Sequence, residues 1–245
     1  MKAVLLGATR GMGRAVAREL AGRGASLFLL GRSRADLEKS AADLEVRGAP
    51  KPVGFALCDL LEPAGFAPAL DAADAALRGF DTAVVSAGLF ATQERLEADA
   101  DLTARLLAAD FTHTVLFCEQ ARRRLLARGG GTLCVFSSVA GERGRKPVVL
   151  YGAAKAGLSA YLEGLDHRYR GEGLVTVCVK PGFVRTAMTA DLPAPPFAGE
   201  PQGVARSVVR ALERGVPEVY APPAWRWIMA AIRILPRAVM RRSGF

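Results

Sequence analysis

A chain of 245 residues, 51% hydrophobic and 23% charged, can bury a large core, and that balance excludes a disordered polymer. The net charge of +9 invites a nucleic-acid reading, but no basic stripe is interleaved with stacking aromatics, so nucleic acid is not expected as a partner. Cys58, Cys118, Cys134 and Cys178 lie far apart among apolar neighbours; lacking zinc or Cys-x-x-Cys spacing, they read as free thiols of a reducing cytoplasm, with no metal site.

The opening apolar run is too short for the core of a signal peptide, and no stretch has the length of a membrane-spanning helix. The expected location is the cytoplasm. Ala3 to Leu6 reads as a buried strand, followed by Gly7-Ala8-Thr9-Arg10-Gly11-Met12-Gly13 and a helix from about Arg14 to Arg23. Glycines between strand and helix permit a tight turn and close backbone approach, and the helix N-terminus offers free N–H groups to a pyrophosphate. The whole turn, Thr9 and Met12 included, is therefore a dinucleotide-site candidate.

Ser26 to Leu30 reads as a second strand ending in Gly31-Arg32. Gly31 stands where an NAD site usually has an acid for the adenosine ribose, and Arg32 and Arg10 can face a 2′-phosphate. The expected cofactor is NADP(H). A polar helix from about Arg34 to Arg47 and a strand from Val53 to Leu57 lead to Asp59-Leu60, beside an adenine ring. Pro68 to Leu77 reads as helix, and Thr82 to Val85 as a strand ending in Ser86-Ala87-Gly88. One long helix is expected from about Leu96 to Arg128, with Asp110 and His113 a turn apart and His113 an ordinary helix histidine.

Thr132 to Phe136 is strand-like and ends at Ser137-Ser138. Tyr151 and Lys155 then lie four apart in a small-residue helix, on one face. A phenol has a reference pKa of about 10, and a nearby ammonium favours its phenolate. Tyr151 is thus expected to titrate closer to working pH and to act as general acid or base. Ser138, at a strand end, offers a hydroxyl to polarise a carbonyl.

Val175 to Val179 is a further strand ending in Lys180-Pro181-Gly182-Phe183-Val184-Arg185-Thr186, where Pro181-Gly182 turns the chain sharply. Residues 187–202, with Pro193, Pro195, Pro196 and Pro201, are a candidate substrate lid. Helix 203–214 and strand 216–220 follow. In the tail, Trp225, Ile228, Met229, Ile232 and Leu235 recur at helical spacing, with Arg226, Arg233 and Arg237 off that stripe and Pro236 limiting the helix. It is read either as a cap on the substrate cleft or a subunit contact, or as an interfacial segment, 225–242, that meets anionic lipid or a lipid phosphate. Alternating strands and helices without repeats predict a single α/β domain with a doubly wound parallel sheet and a C-terminal amphipathic extension over 222–245.

In this order the glycine turn 7–13, Asp59, Ala87-Gly88, Ser138, Tyr151 with Lys155, and Pro181-Gly182 with Thr186 resemble the classical short-chain dehydrogenase/reductase family along nearly the whole chain. The resemblance implies a Rossmann fold and hydride transfer. It makes Ser138 the carbonyl-positioning residue, Tyr151 the acid/base, Lys155 the nicotinamide-ribose ligand and Thr186 a carboxamide contact; Pro181, Gly182 and Val184 belong to the cofactor set. Three positions depart from the family: Leu6 for Thr, Val85-Ser86 for Asn-Asn with loss of polar braces, and Asp110 for an Asn of the proton relay. Ser-Ser-Val-Ala-Gly-Glu-Arg (137–143) and the tail are similar to the branch of decaprenylphosphoryl 2-keto-pentose reductases. The expected function is NADPH-dependent reduction of a ketone or keto-sugar, lipid-linked in that branch, by a homo-oligomer. The alternatives are NADP-dependent alcohol oxidation and a dinucleotide-sensing protein without turnover.

Overall fold

The computed structural model describes residues 1–195 and 197–242. Within them seven strands form one parallel sheet: β1 (Lys2–Leu6), β2 (Ser26–Gly31), β3 (Gly54–Leu57), β4 (Thr82–Val85), β5 (Gly131–Phe136), β6 (Leu174–Pro181) and β7 (Glu218–Ala221). Their order is β3-β2-β1-β4-β5-β6-β7, parallel throughout. Runs such as Leu27-Phe28-Leu29-Leu30 are apolar on both faces because helices cover both sides of the sheet.

The helices are α1 (Gly11–Ala21), α2 (Arg34–Val46), α3 (Phe66–Leu77), α4 (Gln93–Ala98) and α5 (Ala100–Leu107). They continue with α6 (His113–Ala127), α7 (Val149–Tyr169), α8 (Pro201–Arg214), α9 (Trp225–Ile234) and α10 (Arg237–Arg242). Val16, Leu20, Leu37, Leu44, Val204 and Val208 bring α1, α2 and α8 against one face of the sheet. Phe66, Leu70, Phe117, Leu125, Leu158 and Leu162 bring α3, α6 and α7 against the other. The predicted doubly wound α/β sheet is what the chain forms. Its strand order reverses between β1 and β4, the place where such sheets open a crevice at their C-terminal ends.

The long helix expected over 96–128 is broken twice. Asp99 adopts extended backbone (φ −134°, ψ 100°) and its carboxylate accepts the Leu102 N–H at 2.9 Å, ending one helix and capping the next. A π-helical turn, Ala108–Thr112, then separates α5 from α6. Apolar periodicity continues across both breaks, so it alone does not reveal them. α1 begins at Gly11, earlier than expected, because the glycine turn is itself its first turn. Of the candidate lid 187–202, Ala187–Thr189 is a 3₁₀ turn and Pro201 opens α8; Pro196 lies outside the described residues, as do the last three of the extension, 243–245. Among the described residues no helix is long and apolar enough to cross a membrane.

Loss of a carboxylate N-cap costs about 1 kcal/mol. Asp99→Ala is therefore expected to lower the unfolding free energy by about 1 kcal/mol, seen as a lower urea midpoint at unchanged slope. An unchanged midpoint would show that the break between α4 and α5 does not depend on this cap.

Candidate active site

The glycine turn lies at the reversal point. Gly7 has φ +96°, and a Cβ there would sit 2.5 Å from the Ala87 nitrogen. A Cβ on Gly13 would meet the Ser86 hydroxyl at 2.2 Å and the Gly7 carbonyl oxygen at 2.3 Å. Bare backbone is thus required for the turn to close against the 86–88 segment. Ser86 braces that closure: its hydroxyl donates to the Leu6 and Gly7 carbonyls, at 3.2 and 3.3 Å. The loss of bracing expected from Val85-Ser86 is accordingly only partial. No side chain caps the N-terminus of α1, which leaves its first-turn amides available to an anion.

A cavity of about 540 Å³ opens beside this turn. Gly7, Thr9, Arg10, Gly11, Met12, Gly13, Arg32, Asp59, Leu60, Ala87, Gly88 and Thr186 all line it. Uncapped amides and bare glycine backbone beside this cavity fit a dinucleotide. Leu61, Leu89, Phe90, Ala109 and Met188 also line the cavity; being ordinary apolar side chains, they carried no signal in the sequence. Pro181, Gly182 and Val184 lie outside it. Pro181 ends β6, Gly182 packs beneath the Trp225 ring and Val184 is a core residue at 2% exposure. A second, arginine-lined cavity on the outer side of the turn shares Arg10, Gly11 and Thr186 with the first, and neither cavity is lined by Ser138, Tyr151, Lys155 or Asp110.

Both expected phosphate-binding cations are exposed and held by carboxylates. Arg10 bonds Asp36 at 2.9 Å, and Arg32 lies 3.9 Å from Asp59. The position at Gly31 carries no acid, as read, but Asp36 in the first turn of α2 approaches from the next element.

Ser138, Tyr151, Lys155 and Asp110 converge from three pieces of chain: the end of β5, α7 for two of them, and the π-helical turn. Ser138 is extended, and its hydroxyl accepts the Ala140 N–H at 3.1 Å, capping a 3₁₀ turn, Val139–Glu142. Glu142 fixes that turn: its Oε1 accepts from Lys180 Nζ and from the Tyr220 hydroxyl, both at 2.6 Å. Local spacing carries no sign of this network, whose members come from three distant segments. Lys155 is buried, with Nζ 5.6 Å from the Tyr151 ring centroid, 3.3 Å from the Phe136 carbonyl oxygen and 3.4 Å from Asp110 Oδ2. Asp110 is fully buried; Oδ1 accepts the Leu89 N–H at 2.6 Å, while Oδ2 has no hydrogen-bond partner. His113 bonds the Leu60 carbonyl at 2.6 Å through Nδ1 and ties α6 to the cavity wall.

A family model described as short chain dehydrogenase matches residues 1–196. The chain belongs to the short-chain dehydrogenase family. It is 34% identical over 239 residues to an uncharacterised oxidoreductase of Mycobacterium tuberculosis, covering 98% of this chain and 95% of that one. It is 31% identical over 195 residues to the cis-4-hydroxycyclohexanecarboxylate dehydrogenase of Sinomonas cyclohexanicum, covering 78% and 76%. A solved short-chain dehydrogenase/reductase from Mycobacterium ulcerans superposes with a TM-score of 0.80 at 22% identity, covering 89% and 86%. This short-chain dehydrogenase is therefore an oxidoreductase of carbonyl and alcohol groups that binds NAD(P)(H), and the non-catalytic sensing alternative falls away.

Charge in the short-chain dehydrogenase's site differs from expectation in one respect. Burial pushes the Tyr151 pKa up, and this outweighs the opposing pull of Lys155; the Asp110 charge raises it further, while a hydrogen bond with Ser138 lowers it. The expected fall toward neutrality does not occur in the site as it stands. Burial drives the Asp110 carboxyl upward against the stabilising Lys155 charge. For Lys155, burial favours the neutral amine, but the Asp110 and Tyr151 charges more than offset it and hold the group cationic.

Removing the Asp110 charge removes one cause of the raised Tyr151 pKa. In Asp110→Asn the phenol is expected to titrate at lower pH, seen as the near-ultraviolet difference titration that Tyr151→Phe abolishes. An unmoved midpoint would show that the Asp110 carboxyl is already neutral when Tyr151 ionises.

Proposed function

We propose that this short-chain dehydrogenase is an NADPH-dependent ketone reductase with Ser138, Tyr151 and Lys155 as its working groups and a keto-sugar as its substrate. The observation that carries the reading is the buried Lys155 ammonium 5.6 Å from the Tyr151 ring centroid, with both groups on α7. Hydride is the chemistry that NADPH supplies when bound. Tyr151 donates its proton to the carbonyl oxygen, and the Ser138 hydroxyl donates a hydrogen bond to that oxygen. As charge grows there, an acid and a fixed donor lower the barrier together. Lys155 stabilises the phenolate left behind, and Asp110 keeps Lys155 charged and in place. The reverse, secondary-alcohol oxidation, uses the same groups with Tyr151 as base; the name of the Sinomonas relative favours it as the second reading.

The choice of NADPH rests on Arg10 and Arg32 at the adenosine end, with glycine at position 31. Their present partners, Asp36 and Asp59, are surface pairs worth at most about 1 kcal/mol. A charge-assisted bond to phosphate contributes about 1.5–3 kcal/mol, so both arginines are free to turn to a 2′-phosphate. A keto-sugar on a polyprenyl phosphate is the finer proposal, supported by the 137–143 stretch and the tail. The same proposal includes a cytoplasmic location, consistent with four free, buried cysteines, and self-association.

NADPH is expected to bind at least tenfold more tightly than NADH, and Arg10→Ala or Arg32→Ala to cost about tenfold for NADPH alone. Equal dissociation constants for the two cofactors in the wild type would reverse the assignment.

Tyr151→Phe is expected to lower turnover by about 10²-fold or more in a screen of carbonyl compounds that includes keto-sugars, while NADPH affinity stays within a few-fold. Near-normal turnover would remove Tyr151 from the chemistry.

A further inference from the structure

The apolar stripe read from the tail sequence is not available to a lipid. Trp225, Met229 and Ile232 are 9%, 0% and 7% exposed and pack with Val139 and Phe183 against the body of the protein. α9 nevertheless presents a second stripe to solvent. Trp227 and Ile234 are 75% and 82% exposed, with the exposed Ala230 and Ala231 between them. Positions 227, 230, 231 and 234 follow i, i+3, i+4, i+7 and form one continuous strip. A tryptophan and an isoleucine held this far out of the core gain nothing from folding.

Arg226 and Arg233, seven apart, run along one edge of this strip, and α10 adds Arg237, Arg241 and Arg242, all exposed. Val239, 47% exposed, extends the apolar surface onto α10. No acid follows Glu218, and none of the five arginines has a carboxylate partner among the described residues. An exposed Trp and Ile bordered by cations unopposed by acids match the acyl boundary and the headgroups of an anionic bilayer.

We propose that the outer face of α9 and α10 is a peripheral membrane-docking surface for anionic lipid, with Trp227 and Ile234 entering the interface and the arginines engaging the headgroups. The face is fastened to the active site. Arg143 donates to the Leu235 carbonyl at 2.8 Å and Lys146 to the Arg241 carbonyl at 2.7 Å, and both lie in the segment that joins Ser138 to Tyr151. Docking therefore acts on helices that are bonded directly to this segment. The proposal deepens the lipid-linked substrate reading but does not depend on it, because binding to vesicles requires no turnover.

The test is co-sedimentation of the full chain with vesicles of phosphatidylcholine alone and of phosphatidylcholine mixed with phosphatidylglycerol, at low and high salt. The wild type is expected to sediment with the anionic vesicles, less so at high salt, and to stay in solution with the neutral ones. Trp227→Ser with Ile234→Ser, and separately Arg226→Gln with Arg233→Gln and Arg237→Gln, are each expected to lower the apparent affinity tenfold or more. These side chains are exposed, so thermal unfolding and NADPH binding report an intact fold. No binding to anionic vesicles, or equal binding by the variants, would overturn the proposal. So would a wild-type oligomer, seen by sedimentation velocity, that the Trp227 and Ile234 changes dissociate, since the face would then belong to a second copy of the chain.

Discussion

The site depends on a lysine ammonium taken out of water. Lys155 is buried where α7 passes the ends of β4 and β5, and an unpaired ammonium there would cost several kcal/mol. Asp110, the Phe136 carbonyl and the Tyr151 ring are what offset that cost. Each comes from a different place along the chain, so satisfying one charge fixes the end of β5, the π-helical turn and α7 relative to one another. A residue needed for proton chemistry is thereby also a positioning constraint. Asp110 serves the same end twice, since its second oxygen holds the Leu89 N–H and with it the 87–89 wall of the cavity.

The π-helical turn makes this possible. A regular helix from α5 into α6 would present position 110 with a different rotation, and the extra residue of a π turn is a common way to re-aim a side chain at a functional site. Thr114 supports the distortion by donating its hydroxyl to the Ala109 carbonyl at 2.6 Å. Beside this polar centre the glycine turn works by subtraction. Gly7 and Gly13 let backbone approach backbone, so the first turn of α1 faces the crevice where the strand order reverses. Electrostatic and steric requirements thus meet at one end of the sheet.

On the far side, the tail closes the structure with side chains that have two duties. Trp225 lies across Gly182, and Arg143 and Lys146 reach from the catalytic segment to the carbonyls that end α9 and α10. Glu142, Lys180 and Tyr220 form a second tie between the 3₁₀ turn after Ser138 and the last two strands. The segment between Ser138 and Tyr151, irregular in backbone, is thus held by these polar contacts together with the packing of Val139 against Trp225 and Met229.

The order of strands and helices, the glycine turn and the Tyr151–Lys155 pair were legible in the chain itself, because each depends on local spacing: apolar runs, glycine between strand and helix, two residues four apart on one face. Asp110 was visible as a departure, but its partners were not, since Leu89 and Lys155 lie 21 and 45 positions away. The break at Asp99 was hidden by unbroken apolar periodicity, although the capping carboxylate stood in plain view. Whether Lys155 lowers the Tyr151 pKa could not be read from spacing, because the answer is set by how much water burial removes, and that is a property of the whole fold. The tail shows the same division. Its sequence determined that an amphipathic helix with cations would form; only packing against Val139 and Phe183 decided which apolar stripe turned inward, because a helix with two such stripes buries the one whose neighbours fit it.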